Sequence, residues 1–367
     1  MTHVAIIGGG AMGCSAAYYL AKAGVRSTII ESEGIGSQAS GYNAGGLNPL
    51  TGEGIPGPLG EIAATSFAMH AELAQTLEEE SGVEYHHKSI AFITVAFDDS
   101  DIPGMQMTHD IFEGADGFNA HWIDAAELRQ LEPRLNPDAK RGLYAYGNAI
   151  VSGYEFTNAL ARAAERMGAT IRQATAVSLR TDGERVTGVA LEDGAIDCDA
   201  VLIASGPWSG KAEEWLGIDI PIEPYKGEIL RLRIDGDMPP YDFSGGGANL
   251  HLRADGLLWV GATEERKGFD REPSEYARST LMRGATTLMP CLESAEIARH
   301  TACLRPLTPD WLPIVGAAPG WDNAYLATGA GKKGILLAPA IGKATADIIT
   351  TVATDMPVGG FGIERFA

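Results

Sequence analysis

The chain of 367 residues carries 48 acidic against 28 basic side chains, a net charge of −20, and this excludes a nucleic-acid partner, because phosphate binding needs clustered Lys and Arg. With 45% hydrophobic and 21% charged residues it is neither disordered nor fibrous. Its length is enough for two domains with a substantial buried core.

Val4-Ala5-Ile6-Ile7 is a short apolar run suited to a buried parallel strand, and Gly8-Gly9-Gly10-Ala11-Met12-Gly13 follows at once. Cys14 to Ala23 reads as a helix that can lay Ala16, Ala17 and Leu20 on a sheet, and Gly24 ends it. Ser27-Thr28-Ile29-Ile30 is the next strand, closed by Glu31 and Ser32. Strand, glycines, helix, second strand and terminal acid in this order predict a dinucleotide site. Gly8 serves the tight turn, Gly10 lets backbone approach a pyrophosphate, Gly13 allows close helix packing, and Glu31 is placed to accept from ribose hydroxyls. Its charge disfavours a 2′-phosphate.

Ser37 to Leu47 is a loop of small residues with many backbone donors, among them Ser40, Asn43, Ala44, Gly45 and Gly46. Further on, Thr157 to Met167 has helical periodicity, and Ala176 to Leu191, with Val177 near its start, reads as a hairpin broken at Asp182-Gly183. Val201-Leu202-Ile203-Ala204-Ser205-Gly206 is a buried strand ending in small residues, followed by Trp208. Ile90 to Phe97, Gly227 to Ile234 and Leu257 to Thr263 are further strand candidates. Gly329 to Leu336 combines free backbone with the charges of Lys332 and Lys333, and Pro339 is expected in the first turn of a helix running to about Thr350. Arg305 stands in an apolar stretch where an unpaired guanidinium is costly, so it needs either an acid such as Asp310 or a ligand.

Taken together these segments resemble the D-amino acid oxidase superfamily of flavoproteins, most closely its glycine oxidase and sarcosine oxidase branches. The resemblance is carried by the N-terminal fingerprint with Glu31, Ala39 to Gly46, Ala204 to Trp208, Pro224-Tyr225-Lys226-Gly227-Glu228, Gly261-Ala262-Thr263, Leu304 to Gly316 and Gly334 to Pro339. It implies an α/β fold in which a Rossmann-like FAD-binding domain (1–85, 145–220 and 300–367) is interleaved with an α+β substrate domain (86–144 and 221–299) built on a mainly antiparallel sheet. The implied cofactor is FAD, held by Gly8, Gly10, Ala11, Met12, Gly13, Glu31, Ser32, Ser40, Asn43, Ala44, Gly45, Gly46, Val177, Gly206, Trp208, Gly331, Lys332, Gly334, Ile335 and Leu336.

The implied reaction is oxidative deamination of a small amino acid or secondary amine, with Arg305 binding the substrate carboxylate and Lys333 near the flavin. Tyr225, Asn249, His251 and the loop Gly54 to Leu59 are the selectivity positions. Two departures put glycine itself in doubt: Asn249 stands where glycine oxidases tend to carry an aromatic residue, and Ala330 where they carry histidine. Cys303 occupies the position of the flavin-linked cysteine of monomeric sarcosine oxidases and is a candidate for covalent attachment. The electron acceptor is dioxygen or, in a dehydrogenase of the same fold, a quinone or partner subunit; a non-catalytic flavin-binding subunit is the alternative of another class. The oligomeric state is left open, a homo-oligomer included.

Cys14, Cys198, Cys291 and Cys303 show no metal-site or disulfide spacing, so a reducing cytoplasm and no bound metal are expected. No stretch reaches the ~20 apolar residues of a membrane span. The first apolar run is broken by glycines too soon for a secretory leader.

Overall fold

The computed structural model describes residues 2–367. Alternating β- and α-forming segments at the N-terminus build a six-stranded sheet in the order Ile314–Ala317, Ala324–Thr328, Ala200–Ile203, His3–Ile7, Arg26–Glu31 and Thr170–Gln173. The central pairs are parallel, with Ile6 beside Leu202 on one side and Ile29 on the other, and only the Ile314–Ala317 edge strand runs antiparallel. Because both faces are covered at the centre of the sheet, its central strands are apolar: Val4, Ala5 and Ile6 are fully buried, and Ala200–Ile203 is buried along its length. On one face the small side chains of helix Ala11–Lys22 let it pack closely between helices Gly153–Arg166 and Gly334–Thr351.

An eight-stranded sheet forms the second layer, in the order Glu296–Leu307, Glu223–Arg233, Leu258–Gly261, Ala248–Leu252, Asp242–Gly245, Phe92–Ala96, Arg141–Tyr146 and Asn119–Asp124. It is antiparallel except where Asp242–Gly245 meets Phe92–Ala96. Helix Glu275–Leu288 covers part of it, and Leu230, Phe243, Leu250, Leu281 and Leu288 form the core between them. Each such fully buried side chain contributes about 1.5–3 kcal/mol. The fold is thus α/β with a mainly antiparallel second sheet, as expected. The strand Glu296–Leu307 runs through position 300, where the sequence places a domain boundary, and pairs with Glu223–Arg233 along its length.

Helix boundaries differ where local signals compete with packing. The first helix begins at Ala11, with Gly10 as its N-cap, and not at Cys14. The C-terminal helix begins at Gly334, which puts Pro339 in its interior and not in its first turn. A proline there has no N–H for the carbonyl four residues back, Ile335. Helix Gly60–Ser81 makes good the loss: His70 Nε2 donates to the Ile335 carbonyl at 3.0 Å, and Ala340 N–H donates to Ser66 Oγ at 3.1 Å. Ser66 and His70 are four residues apart, so one helix face presents both, and both are fully buried.

Burial pushes the His70 ring down to about 4 from its ordinary 6.5. Its Nδ1 has no hydrogen-bond partner, so a proton added there would be a buried, unpaired donor. The folded state therefore prefers the neutral ring, and as pH falls the unfolded chain takes up the proton first. This stabilisation is complete above 6.5 and is lost as pH falls towards about 4. At about 1.4 kcal/mol per pH unit, the interval is worth on the order of 3 kcal/mol. His70→Gln keeps an N–H for the Ile335 carbonyl and does not titrate. Urea unfolding at about pH 7 and about pH 4 is expected to show a pH-dependent loss of stability smaller in the variant by on the order of 3 kcal/mol. Equal losses in both proteins would contradict this account.

Candidate functional site

A cavity of about 1030 Å³ runs from the strand ends of the six-stranded sheet to the face of the eight-stranded sheet. At the first end, Gly8 adopts φ +118°, and a Cβ there would overlap the Ala204 carbonyl of the neighbouring strand's end. Gly13 is shut off beneath Gly8, whereas Gly10 opens towards the cavity: a Cβ on it would meet only Ser40 Oγ, at 3.3 Å. The Glu31 carboxylate accepts from Gly9 N–H at 2.8 Å and Glu33 N–H at 2.9 Å, which fixes it at the wall beside Ser32. Ser40 Oγ accepts from Ala11 N–H at 2.9 Å and so ties the small-residue loop to the start of the first helix.

Ala11, Met12, Asn43, Ala44, Gly45, Gly46, Gly206, Trp208, Gly331, Gly334, Ile335 and Leu336 all line the same cavity. Val177 does not: its side chain is 45% exposed, and Ala174, Thr175 and Ala176 stand at the wall instead. The loop is held from the far sheet as well. Arg253 is buried, donates from Nε to the Ala44 carbonyl, and pairs with Asp242 at 3.0 Å. Asp242 also bonds His251 Nδ1 at 2.8 Å. Burial works against the Asp242 carboxylate, but His251 and Arg253 more than offset it and lower it to about 2. A carboxylate ionised at all working pH values therefore orients His251, which lines the cavity with Asn249.

At the second end, Cys303 and Arg305 lie two residues apart on one strand and so share a face, which the cavity touches. Arg305 bends across Gly227 on the adjacent strand, where any Cβ would overlap its guanidinium. Nη1 reaches only carbonyls, those of Thr263 at 3.3 Å and Lys226 at 3.4 Å. Among the described residues no carboxylate pairs with it. Asp310 is engaged elsewhere, by Arg365 at 2.8 Å. Cys303 is buried, which raises its thiol against a weaker opposing pull from Arg305, and the nucleophilic thiolate is correspondingly disfavoured.

The two lysines are held differently. Lys332 Nζ bridges Glu53, at 2.6 Å, and Glu264, both of which also line the cavity. Lys333 donates to the Thr51 carbonyl at 3.0 Å, and burial lowers its amine despite the nearby Glu53. Tyr225 is off the cavity wall: it packs edge-on against Trp311 and donates to Glu264 at 3.3 Å. Sequence reasoning missed Glu53, Asp242, Arg253 and Glu264, whose roles follow from partners distant in the chain.

These features fit a flavin dinucleotide. The acid at the strand end suits a ribose, the open Gly10 leaves space that a side chain would fill, and the cavity is large for an ordinary small ligand. Gly10→Val is expected to fold yet lose flavin, because the added side chain enters the cofactor's space and meets protein only at Ser40 Oγ, which has to give by a few tenths of an ångström. Gly8→Val is expected to lose stability as well, since it strains the backbone and strikes Ala204. Flavin content by absorbance and the unfolding midpoint separate the two outcomes; full flavin retention in Gly10→Val would refute the placement.

Comparison with known proteins agrees with this site. The family model described as FAD dependent oxidoreductase matches residues 3–348. A glycine oxidase of Bacillus licheniformis is 32% identical over 94% of this chain and 92% of its own. A glycine oxidase of Geobacillus kaustophilus is 31% identical over 100% of this chain and 98% of its own. The crystal structure of the Geobacillus kaustophilus enzyme superposes with a TM-score of 0.91, covering 100% of this chain and 99% of that one at 28% identity. With the dinucleotide cradle, the second sheet and these full-length matches in agreement, the chain belongs to the D-amino acid oxidase family of FAD-dependent oxidoreductases, in its glycine oxidase branch.

Proposed function

We propose that the chain catalyses oxidative deamination of a small amino acid or secondary amine that carries a carboxylate. The observation that supports this reading best is Arg305, a half-buried guanidinium at the flavin end of the cavity with carbonyl contacts but no carboxylate partner among the described residues. A planar fork of this kind matches a carboxylate with two hydrogen bonds. Gly227 leaves it room to lie flat against the sheet.

Bound FAD would supply the acceptor for the hydride leaving the substrate's α-carbon, with dioxygen as the final acceptor of the electron pair. The chain's own task is to bind, orient and dry the substrate. Arg305 fixes the carboxylate and thereby the α-carbon. Asn249 and His251, the latter held by Asp242, border the same space and act on the substrate's other substituents. Lys332 is neutralised by Glu53 and Glu264, and Lys333 is engaged by the Thr51 carbonyl, which leaves Arg305 as the cation offered to the carboxylate. The imine that forms is hydrolysed by water to the oxo acid. Ala330 and Asn249, which line the cavity in place of the bulkier side chains that glycine oxidases tend to carry, support a substrate larger than glycine.

Arg305→Leu is expected to retain flavin with a normal spectrum while losing a charge-assisted pair in a desolvated site, at a cost of roughly 2 to 5 kcal/mol. That corresponds to about 30-fold to several-thousand-fold in the rate of flavin reduction at low substrate. Arg305→Lys should recover part of this, and amines without a carboxylate should be little affected. Anaerobic stopped-flow mixing with glycine, sarcosine, proline and both enantiomers of common amino acids measures these rates. An Arg305→Leu variant that is reduced as fast as the parent by its best amino acid would sink the proposal.

A further inference from the structure

The segment Glu264 to Ser274, which leaves the eight-stranded sheet after strand Leu258–Gly261, runs along the cavity with most of its residues exposed on the outer side. Glu264 contributes to the wall at the Lys332 end, and Phe269 and Arg271 contribute at the end where Glu31, Glu33 and Trp208 stand. Its middle is pinned from beneath. Lys226, 1% exposed, sends its ammonium to Asp270 at 2.8 Å, to the Glu272 carbonyl at 2.5 Å and to the fully buried Glu228 at 3.1 Å. Ser274, where the segment ends, donates from its N–H and its Oγ to Glu228, each at 2.8 Å.

At its far end the segment reaches across to the other sheet. Arg271 Nη1 pairs with Glu33 at 2.8 Å, two residues beyond Glu31, and this contact is the main cause of the lowered Glu33 carboxyl. The Arg271 guanidinium lies 5.9 Å from the centre of the Trp208 ring, and the Phe269 ring lies 5.8 Å from it. Phe269 is 53% exposed although Trp208 is beside it. An aromatic face kept at a cavity wall in this state is poorly covered by protein and suits a flat, apolar-faced ligand group.

We propose that this segment is a cofactor clasp: Phe269 covers the adenosine half of the dinucleotide, and the Arg271–Glu33 pair holds the cover shut, so that FAD leaves only when this pair parts. The inference rests on FAD binding and not on the identity of the amine. It assigns Phe269, Arg271 and Glu33 to cofactor retention. Each is a partly exposed side chain, so substitutions there leave the two cores intact.

The test is release of FAD from the holoenzyme on dilution, followed by the rise in free-flavin fluorescence. Phe269→Ala and Arg271→Glu are each expected to raise the release rate about tenfold or more, and Arg271→Glu combined with Glu33→Arg to return it to within about threefold of the parent. Added salt should accelerate release from the parent but not from Arg271→Ala, in which the pair is already absent. Unfolding midpoints confirm that the variants remain folded. The clasp is refuted if the single variants release FAD within about twofold of the parent, or if the charge-swapped protein releases it as fast as Arg271→Glu does. Failure of these tests leaves the assignment of Arg305 untouched, because flavin reduction by amino acids is measured separately.

Discussion

The flavin end of the cavity is built on a helix that its own sequence interrupts. Pro339 leaves the Ile335 carbonyl without its helical donor, and Ile335 and Leu336 are the residues this helix presents to the cavity. An unpaired carbonyl in a fully buried setting costs about 1–3 kcal/mol, and an interior proline adds further strain. His70, 265 residues away in sequence, removes that cost, and Ser66 from the same helix accepts the Ala340 N–H just past the proline. The packing of helix Gly60–Ser81 on helix Gly334–Thr351 therefore fixes both the core of the first layer and the backbone that borders the cofactor. Burial keeps the His70 ring neutral while its Nε2–H serves the Ile335 carbonyl.

The same economy appears across the cavity. Arg253 reaches from the second sheet to the Ala44 carbonyl, Arg271 reaches from it to Glu33, and Glu264 reaches Lys332. Each contact joins a segment of one sheet to the loops of the other, and each lies at the cavity wall or beside it. Charge-assisted bonds around the cofactor space thus join the two layers, together with apolar contacts such as Phe67 on Phe118. Apolar burial is concentrated within each layer, around Ile6 and Leu202 in one and Leu230 and Phe243 in the other. Binding of a dinucleotide between such layers fills the polar seam and adds contacts to both, which stabilises the folded chain by mass action.

Charge placement then decides what the flavin end can hold. Lys332 is bracketed by two carboxylates and Lys333 is desolvated on a carbonyl, whereas Arg305 keeps a delocalised charge with only weak carbonyl contacts. A guanidinium tolerates partial desolvation better than an ammonium because it is less strongly hydrated, so it can wait for an anionic ligand where a lysine would seek an internal partner. Asp242 performs the converse task, staying ionised in a buried site so that His251 and Arg253 keep their places.

The amino-acid sequence by itself determined the dinucleotide cradle, because its parts are contiguous. The strand His3–Ile7, the glycines, the helix and Glu31 lie within one βαβ unit whose geometry is set by local φ/ψ and by the period of apolar residues. The hairpin strands Ala176–Asp182 and Arg185–Leu191 were legible for the same reason, as were the strands around Phe92, Gly227 and Leu258. The helix start at Gly334 is not legible in the sequence, since the usual preference of proline for a first turn gives no hint of a histidine and a serine from another helix. Whether Arg305 or Lys332 is left without an acid, where Val177 points, and which distant residues line the cavity were decided only by the tertiary structure. Those outcomes rest on pairs such as Arg271 with Glu33, 238 residues apart, and a side chain's partner at that separation depends on how two sheets meet and not on the residues beside it.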